Sequence, residues 1–384
     1  MKNDMMTRKC LVVLLALSAI MMCSCHNNTK HHNSQPISSV KLKYAKGFSI
    51  DNFAEYQRID IYTPWNTDKQ IQQRYYLVSS DSIEVPGDGI KLRIPIESWA
   101  TASCTHIGFL CAIDEMEHIA GVTNPGIIYN DTVRQLYAQG AITDIGDALS
   151  INTEVVMSLH PDVLILNLIG SNDTQASHLK NAGVTLLYNN EWKESTPLAR
   201  AEWIKLFGVL CCKSAKSDSL FSAIEQHYNS LRDRARHTNA PHPNIVSGGD
   251  FRGTWYVPSA KTYMGYMFAD AGANYYFAND STTESIPLTM EKALMCFSDA
   301  DIWVGAPANS YEELLAQDSK YGMMKAVKNK KVYNFYARSR QGGANDFWES
   351  GVVRPDLLLQ DLLIMLYGDS IGQGAQLTYS KPLL

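Results

Sequence analysis

The loops that follow the expected strands hold an unusual share of flat aromatic and arginine side chains. They are Trp99, Trp192, Phe251, Arg252, Trp255, Tyr256, Arg338, Arg340, Phe347 and Trp348, with Thr105 closing the first loop. Aromatic walls suit a large, partly apolar chelate or macrocycle. Guanidinium groups add charge-assisted hydrogen bonds to carboxylates, phosphates or catecholates. Tryptophan is also a frequent core residue, so several of these rings are equally able to close a core. Trp303, inside an apolar run, reads as core, whereas Trp255 and Trp348, among glycine and polar residues, read as ligand contacts. Arg252 and Arg338 suit an anionic cargo group and a surface carboxylate equally well.

Other chemistry finds little support. There is no Gly-x-Ser-x-Gly elbow and no phosphate loop. Cys104 and His106, two apart on an expected helix, point to different faces. His106, His118, His160, His178, His227, His237 and His242 show no metal-ligand spacing. The chain reads as a binder and not an enzyme, with no metal site of its own and no cofactor.

The elements that must position the aromatic loops carry an internal repeat. Thr153–Asp162 runs into the apolar Val163–Leu166, and Met290–Asp299 runs through Ala300-Asp301 into Ile302–Val304. Each begins with a glutamate, Glu154 or Glu291, in the first turn of an expected helix, where the helix dipole favours an acid. One supersecondary unit used twice implies two related lobes. Strands alternating with helices imply parallel sheets covered on both faces. Between the halves, Leu220, Ile224, Tyr228 and Leu231 recur at helical spacing, and Ser214–Arg236 would span roughly 35 Å as one helix. The expected division is a tether over 26–39, a β-rich extension over 40–89 and an α/β lobe over 90–195. A helical connector over 196–240 and a second α/β lobe over 241–384 complete the chain. Ligands of open α/β sheets sit beyond the carboxyl ends of the strands. The cleft loops are then Trp99–Thr105, Leu168–Asn172 and Asn189–Trp192 on one side, with Gly248–Tyr256, Gly305–Asn309 and Ala337–Trp348 on the other.

Residues 1–25 are read as a targeting segment. Lys2, Arg8 and Lys9 precede the apolar stretch Leu11–Met22, which is too short to span a bilayer comfortably. Met22-Cys23-Ser24-Cys25 resembles a bacterial lipoprotein cleavage site, with Cys25 as the lipid-bearing residue and Cys23 as runner-up. An ordinary secretory signal is the alternative. Cys104, Cys111, Cys211, Cys212 and Cys296 form no disulfide framework. The formal net charge of -5 and the lack of a basic run argue against nucleic acid as a partner.

Several stretches, in order, resemble the substrate-binding proteins of ABC importers whose lobes are joined by a rigid helix. That family includes receptors for ferric siderophores, haem and vitamin B12. The resemblance covers roughly residues 90–367. It rests on Ser103–Leu110 with Gly121-Val122-Thr123, on Glu154–Leu166, on Ala269-Asp270-Ala271-Gly272-Ala273-Asn274 and on Ala326–Tyr333. Ala273 stands where the family usually has glycine. Asp346-Phe347-Trp348-Glu349 is similar to the family's C-terminal aromatic loop, which lines the cleft in B12-binding members.

The resemblance implies an α/β fold: two Rossmann-like lobes joined by a long rigid helix, with the N-terminal β-rich extension added. It implies a monomeric periplasmic receptor, lipid-anchored to the bilayer through Cys25, that hands its cargo to an ABC permease and its ATPase. Glu154 and Glu291 would pair with permease arginines. The expected cargo is an iron chelate, siderophore or haem, and a corrinoid is the alternative. From another class, an extracytoplasmic carbohydrate-binding lipoprotein or enzyme also accommodates aromatic loops, but leaves the two glutamates and the inter-lobe helix without a role.

Overall fold

Apolar alternation near the N-terminus produces a five-stranded sheet. Its strands are β1 (Ser38–Ser39), β2 (Phe48–Asn52), β3 (Tyr56–Tyr62), β4 (Ile71–Val78) and β5 (Ile90–Arg93), in spatial order 1-2-3-4-5. The computed structural model describes residues 35–63, 69–168, 173–372 and 374–384. The expected targeting segment, Cys25, most of the tether and residues 169–172 of one expected cleft loop lie outside them. Strands β1 to β4 are antiparallel, and β5 joins β4 in parallel. Ile59, Ile61, Tyr75 and Leu77 face the main core; Tyr76 and Val78 point the other way onto a small second cluster. The period of two in side-chain direction produces this division. Two expected boundaries shift. Ser38–Ser39, placed in the tether, pair with β2, and residues 90–93, placed in the first lobe, complete the extension sheet.

The extension is strapped to the first lobe and the connector. The Glu202 carboxylate accepts from the backbone N–H of Lys43 (2.9 Å), Tyr44 (2.7 Å) and Ala45 (2.9 Å). Glu194 Oε1 accepts from the N–H of Lys46 (2.7 Å) and Gly47 (2.8 Å) and from Trp203 Nε1 (3.1 Å). Tyr75 Oη donates to the Leu186 carbonyl and accepts from the Tyr188 N–H, covering an edge strand of the next sheet.

The first lobe contains β6 (Trp99–Thr101), α1 (Cys104–Ala112), β7 (Ile119–Val122), α2 (Asp131–Ala138) and β8 (Thr143–Asp144). A short hairpin of β9 (Gly146–Asp147) and β10 (Ser150–Ile151) leads to α3 (Thr153–Leu159), β11 (Val163–Leu166), α4 (Thr174–Asn181) and β12 (Leu186–Tyr188). Its sheet is parallel, in the order β12-β11-β6-β7-β8. All four residues of β11 are buried, as a strand covered on both faces requires.

The connector is α5 (Pro197–Glu202), α6 (Ile204–Leu210) and α7 (Ser214–Arg236). Pro197 opens α5, where its missing N–H costs nothing. The apolar stripe of the 23-residue α7 buries Phe221, Ile224, Tyr228 and Leu231, with Leu220 at its edge.

The second lobe runs β13 (Asn244–Ser247), β14 (Gly249–Phe251), β15 (Thr254–Val257), α8 (Tyr263–Asp270), β16 (Asn274–Tyr275), β17 (Ile286–Leu288), α9 (Met290–Phe297) and β18 (Ile302–Val304). It finishes with α10 (Tyr311–Gln317), α11 (Lys325–Lys328), β19 (Val332–Asn334), α12 (Asp346–Glu349), α13 (Pro355–Tyr367), α14 (Asp369–Gly372) and β20 (Lys381–Pro382). The order is β16-β13-β18-β19-β20, parallel except for β20, beside a separate antiparallel sheet β14-β15-β17. Helix α7 packs along α6 on one side and α13 on the other, so it spans both lobes.

The internal repeat is structural. Asn152 caps α3 by accepting from the Val155 N–H, and Thr289 caps α9 by accepting from the Lys292 N–H. After α3, Asp162 Oδ2 accepts from the N–H groups of Glu97 and Ser98, at 2.8 and 3.0 Å, just ahead of β6. After α9, Asp301 Oδ2 accepts from Asn244 N–H at 2.8 Å, at the start of β13. Asp301, and not Asp299, is therefore the counterpart of Asp162: each aspartate ties its strand to the neighbour on the same sheet. Among the described residues no helix is long and apolar enough to cross a membrane.

Candidate functional site

A cleft of about 860 Å³ opens between the lobes. The first lobe and connector contribute Thr105, the run Glu191–Ser195 and Arg200; the second contributes Pro258, Lys261–Met264, Thr283–Ser285, Phe347, Trp348, Gly351 and Val352. Thr105 reaches it from the first turn of α1, whose N-cap Ser103 accepts from the Thr105 N–H. Glu191 and Trp192 lie just beyond the carboxyl end of β12, where an open parallel sheet places its ligands.

The aromatic wall is a stack. Phe347 lies parallel to Phe335, ring centroids 4.3 Å apart, and meets Trp348 edge-on at 4.6 Å. Phe347 is thereby immobilised, while Trp348 keeps 60% of its surface exposed. Across from it, Arg200 holds Tyr263, with its guanidinium carbon 4.4 Å from the ring centroid. That guanidinium also donates to the carbonyls of Trp192 (2.7 Å) and Glu194 (3.2 Å). Burial lowers the Arg200 pKa and raises that of Tyr263 to about 12. The charged lining is balanced: Glu191, Glu194 and Glu284 stand against Lys193, Arg200 and Lys261.

Glu191 is the more deeply buried of the two buried acids in the cleft lining, 1% exposed against 8% for Glu194. Burial raises its pKa to about 7, opposed by the Arg200 charge and a hydrogen bond from Thr105. Its Oε2 has no hydrogen-bond partner.

The lobes are tied at one end of the cleft. Glu349 accepts from the N–H groups of Tyr129 (2.8 Å) and Asn130 (3.0 Å). Arg340 donates to the Tyr129 carbonyl and pairs with Asp131 at 2.7 Å. Gly108 permits this closeness: a Cβ there would sit 2.0 Å from the Glu349 carbonyl oxygen. Burial, with help from the Asp346 charge, raises the Glu349 pKa to about 7.

These two acids make stability depend on pH. Both have folded-state values raised from about 4.5 to about 7, so each favours the fold fully below about pH 4.5 and ceases to as pH rises through about 7. The thermal midpoint is expected to decrease from pH 5 to pH 8, and Glu349→Gln should flatten that decrease. A midpoint that rises over this interval would contradict the assignment.

Of the side chains proposed from sequence, the structure brings Thr105, Trp192, Phe347 and Trp348 to the cleft. Trp99 is wholly buried in β6, packed on Phe207, and belongs to the first-lobe core. Trp255, expected as a ligand contact, is also wholly buried. It stacks on Trp303 at 5.0 Å, edge-on to Tyr321, and donates from Nε1 to the Ser247 carbonyl. Arg252 sits at the tip of the β14–β15 hairpin at φ 57°, over the Phe251 ring, and Tyr256 lies exposed on β15. Arg338 pairs with the buried Asp346 at 2.9 Å and covers the Tyr129 ring. None of these five lines the cleft. The hairpin turns the chain away after β13, so the second-lobe wall comes from Pro258–Met264 and Thr283–Ser285 instead of Gly248–Tyr256. Sequence reasoning also missed Glu191, Arg200 and Tyr263. A glutamate beside Trp192 in a loop after a strand was the available signal for the first. Among the described residues no three His, Cys, Asp or Glu side chains gather as a metal would require.

Two parallel-sheet lobes joined by one long helix, with an aromatic-walled cleft between them, define a periplasmic binding protein of the ABC-transporter type. Residues 108–338, more than half of the chain, match the periplasmic binding protein family, and the chain belongs to it. The family works with a membrane permease and an ATPase and consists of transport receptors rather than enzymes. An uncharacterized lipoprotein of Methanocaldococcus jannaschii is 25% identical over 374 residues, covering 90% of this chain and 87% of its own length. Nickel-bound CeuE of Helicobacter pylori shares the fold with a TM-score of 0.57 at 15% identity, over 77% of this chain and 91% of its own. The vitamin B12 binding protein BtuF of Vibrio cholerae does so with a TM-score of 0.52 at 15% identity, over 73% and 99%. At these identities the two structures share a fold with this chain, and their cargoes are their own.

Proposed function

We propose that this protein is the extracytoplasmic, lipid-anchored receptor of an ABC importer, capturing an iron chelate between its lobes. The observation that supports it best is the cleft of about 860 Å³ with Trp192, Tyr263, Phe347 and Trp348 on its walls. That volume is at the upper end for small-molecule sites, and planar walls suit a bulky chelate. The lipoprotein relative accords with anchoring through Cys25. Glu154 and Glu291, both exposed in the first turns of equivalent helices, are the proposed permease contacts. A corrinoid is the second reading, favoured by the shared fold with a vitamin B12 binding protein.

Titration of the purified protein, monitored by tryptophan fluorescence, tests both. Trp192 and Trp348 line the cleft, so a ferric siderophore, hemin or cyanocobalamin should quench emission saturably at micromolar or lower concentration. A panel of small glycans should not. Binding of a glycan alone would overturn the reading.

A further inference from the structure

Behind Thr105 and Glu191, the carboxyl edge of the first-lobe sheet holds polar atoms that the fold leaves unused. Asn189, 0% exposed, lacks a partner for both Oδ1 and Nδ2. Asn190 uses Oδ1 to accept from the Leu168 N–H, but its Nδ2 is unpartnered. Thr101 Oγ1 at the end of β6 is unpartnered as well. His106 on α1 bonds Asn167 through Nε2 at 2.8 Å, and burial lowers its pKa to about 4. The ring is therefore neutral, with its Nδ1 unpartnered. Glu191 Oε2 completes the set at the cleft wall.

Each buried, unpartnered polar atom costs about 1–3 kcal/mol, so such a cluster is met by something outside the chain, an ordered water or a group of the ligand. A core position at a sheet end has apolar solutions, and leucine carries the same number of side-chain heavy atoms as asparagine. The cluster also has a definite chemistry. It offers amide and hydroxyl donors beside amide, imidazole and carboxylate acceptors, and no lysine or arginine is among them. Arg200, the cation that acts on Glu191, is already committed to the Trp192 and Glu194 carbonyls and the Tyr263 ring, so an anion would meet Glu191 with little further compensation. A group that both donates and accepts, such as a carboxamide or a hydroxyl, would satisfy it.

Building on the receptor reading, we propose that this edge is a polar subsite of the cleft that takes an uncharged carboxamide- or hydroxyl-bearing arm of the cargo. The atoms are sealed from solvent, so the arm enters as Glu191 swings off Thr105. The cargo is then a neutral, amide-rimmed chelate or macrocycle, in preference to a polycarboxylate or a catecholate trianion.

The test uses four probes on the whole protein: cyanocobalamin and ferrichrome, which are neutral and carry amides, and hemin and ferric enterobactin, which are anionic. The wild type should bind at least one neutral probe at least tenfold more tightly than either anionic one. Asn189→Leu should weaken that binding about tenfold without lowering the thermal midpoint, because it removes two unpartnered atoms. A purely structural Asn189 would instead lower the midpoint and leave affinity unchanged, which overturns the subsite. Preference of the wild type for an anionic probe overturns it too, and needs no variant. If the wild type binds none of the four, the receptor reading itself falls, and the subsite with it.

Discussion

Replacing Glu154 and Glu291 together by alanine is expected to abolish cargo uptake while leaving cargo affinity within about twofold of the wild type. Both side chains are exposed and make no core contact. Glu291 has Lys320 at 3.6 Å, a surface pair worth about 0–1 kcal/mol. The helices do not depend on them, because Asn152 and Thr289 supply the caps. The loss therefore falls on whatever the two ends meet. Equivalent positions in equivalent lobes give a partner two matching charges, one on each of the lobes that α7 spans. Uptake by cells or vesicles carrying the permease and ATPase, beside a binding isotherm for the same variant, makes the comparison. Each single change should give an intermediate loss. Undiminished uptake by the double variant would refute the docking role.

Among the straps that hold the extension, Glu202→Ala should be the most destabilising single change. The carboxylate is 0% exposed and accepts three consecutive backbone N–H groups, from Lys43 to Ala45, just ahead of β2. Truncation leaves all three without an acceptor in a largely dry environment, at a cost of about 3–5 kcal/mol. For a chain of 384 residues that is about a 4–6 °C fall in thermal midpoint. Proteolysis near residues 35–47 should accelerate before the lobes unfold. Glu202→Gln, which keeps one acceptor oxygen, should fall between. Unaltered cleavage in Glu202→Ala would show that the Glu202 strap is not what holds the extension.

The parts legible in the sequence are those with a local signal. The repeated glutamate helices, the long connector and the alternating β texture before residue 90 each carry a period that their neighbours do not need to supply. The cleft was legible only in part. Thr105 and Trp192 follow within four residues of the strands β6 and β12, and Phe347 and Trp348 sit on the short helix α12 between β19 and α13. Trp99 and Trp255 share the same composition but sit one or two residues back, inside the sheet layer, where the pleat points them into the core. Trp255 is decided by its partners Trp303 and Tyr321, distant in sequence. Arg200 and Tyr263 meet only because the connector brings α5 against α8, a contact that no local pattern announces.

The straps on the extension also constrain the order of folding. Lys43 bonds Glu202 across 159 residues, Lys46 bonds Glu194 across 148, and Lys43 reaches Glu225 across 182. The extension thus secures its contacts late, since its anchors lie in segments synthesised long after it. Contacts so distant along the chain form slowly. Until they do, the face bearing Ile59, Ile61 and Leu77 has nothing to cover it. A sheet made this far ahead of its anchors needs shielding while the rest of the chain is still arriving.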